Sequence, residues 1–237
     1  MRDADKSLEG RRKRGGLVQY VVTELLLSRV FPASVFGLIV IAKTEALARR
    51  LTPADARHLD PALFAFLAQQ ALTVVFVSLI VLLFLIRRPV IGQHSSLTGG
   101  LVALAGTFAL TVPVGAKVLE DNTTVLLLSS AIVLVGVGFS VASLIALGRC
   151  FGLAPEARGL VTYGTYAWVR HPLYVGETIS ALGLVVGTAS LPMAGVFVVY
   201  CGLQYWRTLN EEKALVDVFP EYEEYRRRTA RFLPRIY

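Results

Sequence analysis

The chain has 237 residues, 54% of them hydrophobic and only 17% charged, with a mean hydropathy of +0.59 and a formal net charge of +7. Soluble domains carry nearer a quarter charged residues, so this composition suits lipid as solvent. The basic residues gather at the ends of apolar runs and form no continuous stripe, which argues against nucleic acid as a partner.

The N-terminal Arg11, Arg12, Lys13 and Arg14 look like the start of a signal peptide. The residues after them lack a compact apolar core with a small-residue cleavage site, so the segment reads as retained. Leu17 to Ala42 is apolar but interrupted by Glu24, Arg29 and Pro32. It predicts either one kinked span or an interfacial helix followed by a span. Arg49 to Pro61 is a polar connection with Pro53 and an Asp60-Pro61 turn signal. Ala62 to Ile86 predicts the second span, closed by Arg87, Arg88 and Pro89. About 20 apolar residues cross a bilayer as a helix, and these runs lack the alternation of barrel strands. Gly99 to Ala116 predicts a third span, with Pro113 kinking its end. The short Lys117 to Asn122 turn then predicts an antiparallel hairpin with a fourth, Thr123 to Leu147.

After Leu147 the composition changes. Gly148 to Pro172 is a loop of mixed polarity. Leu173 to Trp206 is apolar again, with Glu177 its only charged residue, and the TASLP sequence at Thr188 to Pro192 breaks it into a helical hairpin of two short spans. Arg207 to Tyr237 predicts an extramembrane helical tail. The expected architecture is therefore an all-α integral membrane bundle of five to six spans. Residues 1–147 hold three to four N-terminal spans, and 148–237 hold the chemistry. With six spans, one side collects 18 of the 24 Lys and Arg residues, and the positive-inside rule makes that side cytoplasmic. A bacterial inner membrane is the expected setting. Cys150 and Cys201 lie in or beside apolar stretches and read as reduced and inert, and no metal-ligand spacing occurs.

Two clusters carry candidate chemistry. Tyr163 to Glu177 (YGTYAWVRHPLYVGE) places Arg170, His171, tyrosines and Glu177 where a loop enters a membrane helix. His171 precedes Pro172, so it should be extended, with Pro172 opening the helix. Glu177 falls about one turn inside, where an ionisable group is costly unless it faces a protein-lined pocket. The plain alternative makes Arg170 and His171 headgroup anchors, with Glu177 paired to Arg170. The second cluster is Arg207 to Leu215 (RTLNEEKAL). Arg207 and Glu211 share a helix face, and on spacing alone would be an ordinary solvated ion pair. Both ends of a hairpin return to one surface, so the two clusters can converge. Tyr222, Tyr225 and Arg226 to Arg228 read instead as a membrane-surface helix.

These blocks, Leu160-Val161-Thr162-x-Gly164-x-Tyr166-x-x-Val169-Arg170-His171-Pro172-x-Tyr174-x-Gly176-Glu177 and Arg207-x-x-x-Glu211-Glu212-x-x-Leu215-x-x-x-Phe219, resemble the isoprenylcysteine carboxyl methyltransferase family. Tyr222, Tyr225, Arg231, Phe232 and Pro234 continue the likeness, which covers about the last 85 residues. Thr165 and Pro220 depart from the family's usual Pro and Gly. The resemblance implies an S-adenosylmethionine-dependent methyltransferase without a soluble nucleotide-binding domain. Tyr166, Arg170, His171, Tyr174, Gly176 and Glu212 would hold the cofactor, with Gly176 allowing close approach. Arg207 and Glu211 would lie beside the transferring methyl, and no metal is required. The acceptor would be lipophilic and enter from the bilayer. An isoprenylcysteine-like carboxylate, a lipid and a small thiol all stay open, as does the oligomeric state. Two other readings are a membrane reductase using NADPH on a sterol-like or polyprenyl double bond, whose relatives share the RHPxYxGE motif, and a non-catalytic membrane scaffold.

Overall fold

The computed structural model describes residues 21–50, 61–93, 97–108 and 122–234. The basic N-terminus, most of the polar connection before Pro61, Pro113 and all of the Lys117 to Asn122 turn except Asn122 lie outside the described residues. Helix α1 (Phe31–Arg50) is preceded by a π-wound stretch, Val21–Val30, with Pro32 just past the junction. Proline has no N–H to donate, so a change of helical register there costs the backbone little. Then come α2 (Pro61–Ile86), a two-residue strand β1 (Gly92–Gln93), α3 (Leu97–Phe108), α4 (Thr123–Leu147), a second short strand β2 (Glu156–Ala157), α5 (Pro172–Thr188), α6 (Leu191–Val218) and α7 (Tyr222–Arg228). The protein is an all-α membrane fold. Among the described residues three stretches are long and apolar enough to cross a bilayer: Ser28–Arg49, Leu63–Ile86 and Thr123–Cys150. Pro172–Thr188 is a shorter apolar helix.

The helix ends follow local rules. Asn122 caps α4 by accepting from the Val125 N–H at 3.1 Å. Pro172 opens α5 behind an extended His171, as its position predicts. The hairpin break falls at the TASLP sequence, where Ala189 takes a left-handed φ of 42° and Pro192 starts α6. One expectation is corrected here. The second arm of the hairpin is not a short span with a separate tail, because α6 runs unbroken past Arg207 to Val218. No Gly or Pro intervenes between Gly202 and Pro220, and Leu209 to Leu215 is rich in strong helix formers.

The tightest seam is between α4 and α5, and small residues make it possible. A methyl group on Gly136 would collide with Ser180 and the Gly176 carbonyl, and one on Gly176 would collide with Ser140. Farther along, the Ser129 hydroxyl donates to the Gly183 carbonyl at 2.8 Å. In lipid no hydrophobic force presses helices together, so close backbone approach and hydrogen bonds of this kind supply the association. The turn expected to join the third and fourth spans lies outside the described residues; among the described residues α3 packs chiefly on α6, and α4 packs on α2 and α5. Gly106 of α3 sits directly over Arg207 and Gln204 of α6.

Helices α1 and α2 join the rest through aromatic packing. Phe84 stacks on Phe36 at 5.7 Å and meets Phe151, from the loop after α4, edge-on at 5.2 Å. At the same end Arg87 donates to Ser28, Arg88 N–H donates to the Arg149 carbonyl at 2.7 Å, and β1 pairs antiparallel with β2. Arg158 is fully buried there between Glu156 (2.7 Å) and the Arg88 carbonyl. The Arg87-Arg88 loop and the Gly148 to Pro172 loop thus share one end of the bundle, as expected.

Candidate active site

The loop from Gly148 to His171 lies across that end, and the chain's C-terminal segment closes over it. Arg170 N–H donates to the Ala230 carbonyl (2.8 Å), His171 N–H to the Arg231 carbonyl (3.2 Å), and the Tyr225 hydroxyl to the Tyr166 carbonyl (2.7 Å). Glu212 is the hub beneath this cover. Its Oε1 accepts from Arg170 Nε (3.0 Å) and Arg231 Nε (3.0 Å), and lies 3.1 Å from His171 Nε2. Its Oε2 accepts from Arg231 (2.8 Å). Burial works against the Glu212 charge, but the hydrogen bonds from His171 and Arg231 and the Arg170 charge outweigh it. They hold the carboxyl well below the usual carboxylate range.

Between loop, helices and cover lies a surface chamber of about 730 Å³, open mouth included. Its walls include Tyr166, Arg170, His171, Tyr174, Glu211 and Tyr222. Tyr222 and Tyr225 are buried, and the Tyr222 hydroxyl has no hydrogen-bond partner among the described residues. Burial raises the phenol of Tyr166, and those of Tyr222 and Tyr225, above the ordinary tyrosine range, so all three stay protonated.

A second chamber of about 1,380 Å³, again counting its opening, lies among α1, α2, α3, α4, α5 and α6. It is mostly apolar, with one polar group at its inner end. Gln204 donates to Glu177 (2.7 Å) and to the Tyr200 hydroxyl (2.8 Å), and accepts from Arg207 (2.9 Å). The Arg207 guanidinium lies 4.7 Å above the Tyr174 ring, and Arg207 is only 6% exposed. Tyr174, Leu173 and Gly152 line both chambers and form the neck between them.

The expected site residues therefore sort by place. Tyr166, Arg170, His171, Tyr174 and Glu211 line the surface chamber, and Arg207 lines the membrane chamber. Arg207 and Glu211 share a helix face but do not pair directly. Tyr174 stands between them, its ring under Arg207 and its hydroxyl donating to Glu211. Glu212 and Gly176 line neither chamber. Glu212 clamps the tail, and Gly176 gives close approach to α4. Arg170 also donates to the Arg226 and Thr229 carbonyls, so it braces the cover as well as facing the cavity. Glu177 pairs with Gln204 and not with Arg170, and it faces a protein-lined pocket as its cost in lipid demands.

Tyr222 and Tyr225 correct the sequence reading: they are walls of the cavity, and only the arginines after them are solvated. Gln204 and Tyr200 were missed entirely. Their signal was present as a polar stripe, Tyr200, Gln204, Arg207 and Glu211, at three- and four-residue spacing on one face of a helix. Both cysteines are free, and no group of metal-ligating residues occurs among the described residues.

A phospholipid methyltransferase family model matches residues 124–222. The cobalt-zinc-cadmium resistance protein CzcN of Cupriavidus metallidurans is 42% identical over 78 residues, 32% of this chain and 36% of that protein. Human protein-S-isoprenylcysteine O-methyltransferase is 40% identical over 84 residues, 34% of this chain and 29% of that one. The match thus spans about a third of the length of these curated relatives. A solved eukaryotic intramembrane Ras methyltransferase, an isoprenylcysteine carboxyl methyltransferase, shares the fold with a TM-score of 0.52 at 18% identity, over 94% of this chain and 89% of that one. Over residues 124–222 the chain is thus similar to phospholipid methyltransferases, and it shares its membrane fold with a solved isoprenylcysteine carboxyl methyltransferase.

Proposed function

We propose that this protein transfers a methyl group from S-adenosylmethionine to a lipophilic acceptor, at the boundary between membrane and cytoplasm. The observation that carries the reading is the pair of chambers meeting at Tyr174. One is polar and opens at the loop end of the bundle; the other is apolar and lies among the spans. A charged donor and an apolar acceptor can each arrive from its own solvent and meet at the neck.

The surface chamber suits the cofactor. Its aromatic walls suit a cation, and the unpartnered Tyr222 hydroxyl suits a polar ligand atom. Tyr166, His171, Tyr174 and Tyr222 would hold the group, with Arg170 and Glu212 fixing the cover above it. When bound, S-adenosylmethionine supplies a methyl already activated by its sulfonium charge. The protein then mainly aligns the partners and excludes water. Arg207, braced by Gln204 and Tyr174, orients the acceptor at the neck, and Leu173 and Gly152 close the passage around it. A carboxylate acceptor needs no general base, whereas a thiol or amine can give its proton to Glu211. The basic residues at the loop end support a cytoplasmic position for this site in this reading.

The test is calorimetric titration of the detergent-purified protein with S-adenosylmethionine and with NADPH. Binding of the first and not the second is expected, followed by methyl transfer from labelled cofactor to an acceptor panel. Micromolar NADPH binding with no affinity for S-adenosylmethionine would turn the reading to a reductase.

A further inference from the structure

The membrane chamber is apolar in its middle and polar at both ends. The inner end is the hydrogen-bonded group of Glu177, Gln204 and Arg207. At the other end Lys43 of α1 and Gln69, Gln70 and Thr73 of α2 line the same cavity. Contact between Ser28 and Arg87 sets a common level for the loop ends of these two helices. Lys43 lies fifteen residues beyond Ser28, and Gln70 seventeen before Arg87. At 1.5 Å per residue both sit roughly 20–25 Å below the loop end and about 10 Å inside the far ends of their spans. Elsewhere its walls include Phe76, Val77, Ile80, Val133, Val137 and Leu184, while the hydroxyls of Thr107, Ser140 and Ser180 are taken up by carbonyls of their own helices.

The Thr73 hydroxyl is satisfied by the Gln69 carbonyl at 2.8 Å. No hydrogen bond or ion pair engages the Lys43 ammonium or the Gln69 and Gln70 amides among the described residues. An ammonium and two amides inside a span are costly unless something polar meets them. Here they converge on a cavity from two helices. Both helices lie outside residues 124–222, the segment that the family model matches.

We infer that Lys43, Gln69 and Gln70 form a distal subsite for an anionic group. The acceptor is then an elongated amphiphile, with its methylated group at Arg207 and a carboxylate-like group at its far end. The inference deepens the proposed function by assigning the acceptor's class, and it rests on that reading for the identity of the membrane chamber. Positive charge selects the anion, the amides supply further donors, and the apolar middle requires a hydrocarbon body long enough to join the two ends.

The experiment measures binding of hexadecanedioate and of its monomethyl ester to the full protein in nanodiscs, with S-adenosylmethionine titrated separately. Wild type should bind the dianion at least about tenfold more tightly than the monoester, since only the dianion satisfies both ends. Lys43→Met should abolish that preference, Lys43→Arg should keep most of it, and cofactor affinity should be unchanged in both. Equal affinity for the two probes in wild type, or a preference that survives Lys43→Met, overturns the subsite. Loss of cofactor binding with the dianion preference intact would remove the methyltransferase reading and leave the subsite standing.

Discussion

The two chambers are built by opposite strategies. The surface chamber is walled by a loop, a tail and polar side chains, and charged hydrogen bonds centred on Glu212 hold it together. The membrane chamber is walled by helices. Its α4–α5 side is held by glycine and serine contact, and its α1–α2 side by phenylalanine stacking. Water competes for hydrogen bonds at the surface, so a cover there needs a multiply bonded carboxylate to stay down. In lipid nothing competes, and shape suffices. The surface chamber should therefore fail by loss of charge and the membrane chamber by gain of volume.

The largest expected effect tests the first half of that contrast. Glu212→Gln leaves the Arg170 side chain, 8% exposed, and the part-buried Arg231 without their anion, and loss of a buried pair costs up to about 3–5 kcal/mol. Thermal unfolding in detergent should show it, with earlier proteolysis after Tyr222. The Glu212 carboxyl is depressed in the folded state, so its stabilisation is full above the unfolded glutamate range and is lost as pH falls through the folded value. The gap between wild type and variant should be constant near neutrality and narrow below about pH 4. A gap that widens in acid would show that the clamp is not held by this charge.

Gly176→Leu tests the other half. The new side chain meets Ser140 and the α4 backbone, and overpacking of this kind costs about 1–3 kcal/mol. The melting temperature should fall at every pH alike, which separates a volume defect from a charge defect.

Glu211→Gln sharpens the contrast at the neck. Glu211 faces the surface chamber and accepts from Tyr174, so the variant should lose about tenfold or more in turnover while cofactor affinity changes little. Unchanged turnover would take Glu211 out of the site. The smallest effect belongs outside both chambers. Arg227 is exposed and pairs only loosely with Glu223, at 3.8 Å, so Arg227→Ala should shift stability by less than about 0.5 kcal/mol in a denaturation curve.

Much of this was legible in one dimension because the bilayer simplifies the code. Long uncharged runs must be helices, so Pro61–Ile86 and Thr123–Leu147 could be read almost to the residue, and Pro172 and the TASLP break marked the ends of α5. The cost of charge in lipid also flagged Glu177, and the two motif blocks flagged Tyr166, His171, Tyr174, Arg207 and Glu211. What the one-dimensional pattern does not contain is the direction in which each residue faces. Glu211 and Glu212 are neighbours in the chain, yet one faces the cavity and the other clamps the tail, since adjacent residues on a helix point about 100° apart. Gly176 is identical in sequence whatever approaches it, and only the packing brings α4 there. The partner of α3 was likewise settled by packing. Helix identity is a local property of hydropathy and backbone hydrogen bonding, so sequence alone determined it here. The grouping of Lys43 with Gln69, and of Tyr174 with Arg207 and Glu211, depends on which faces meet when the helices pack, and tertiary structure alone decided that.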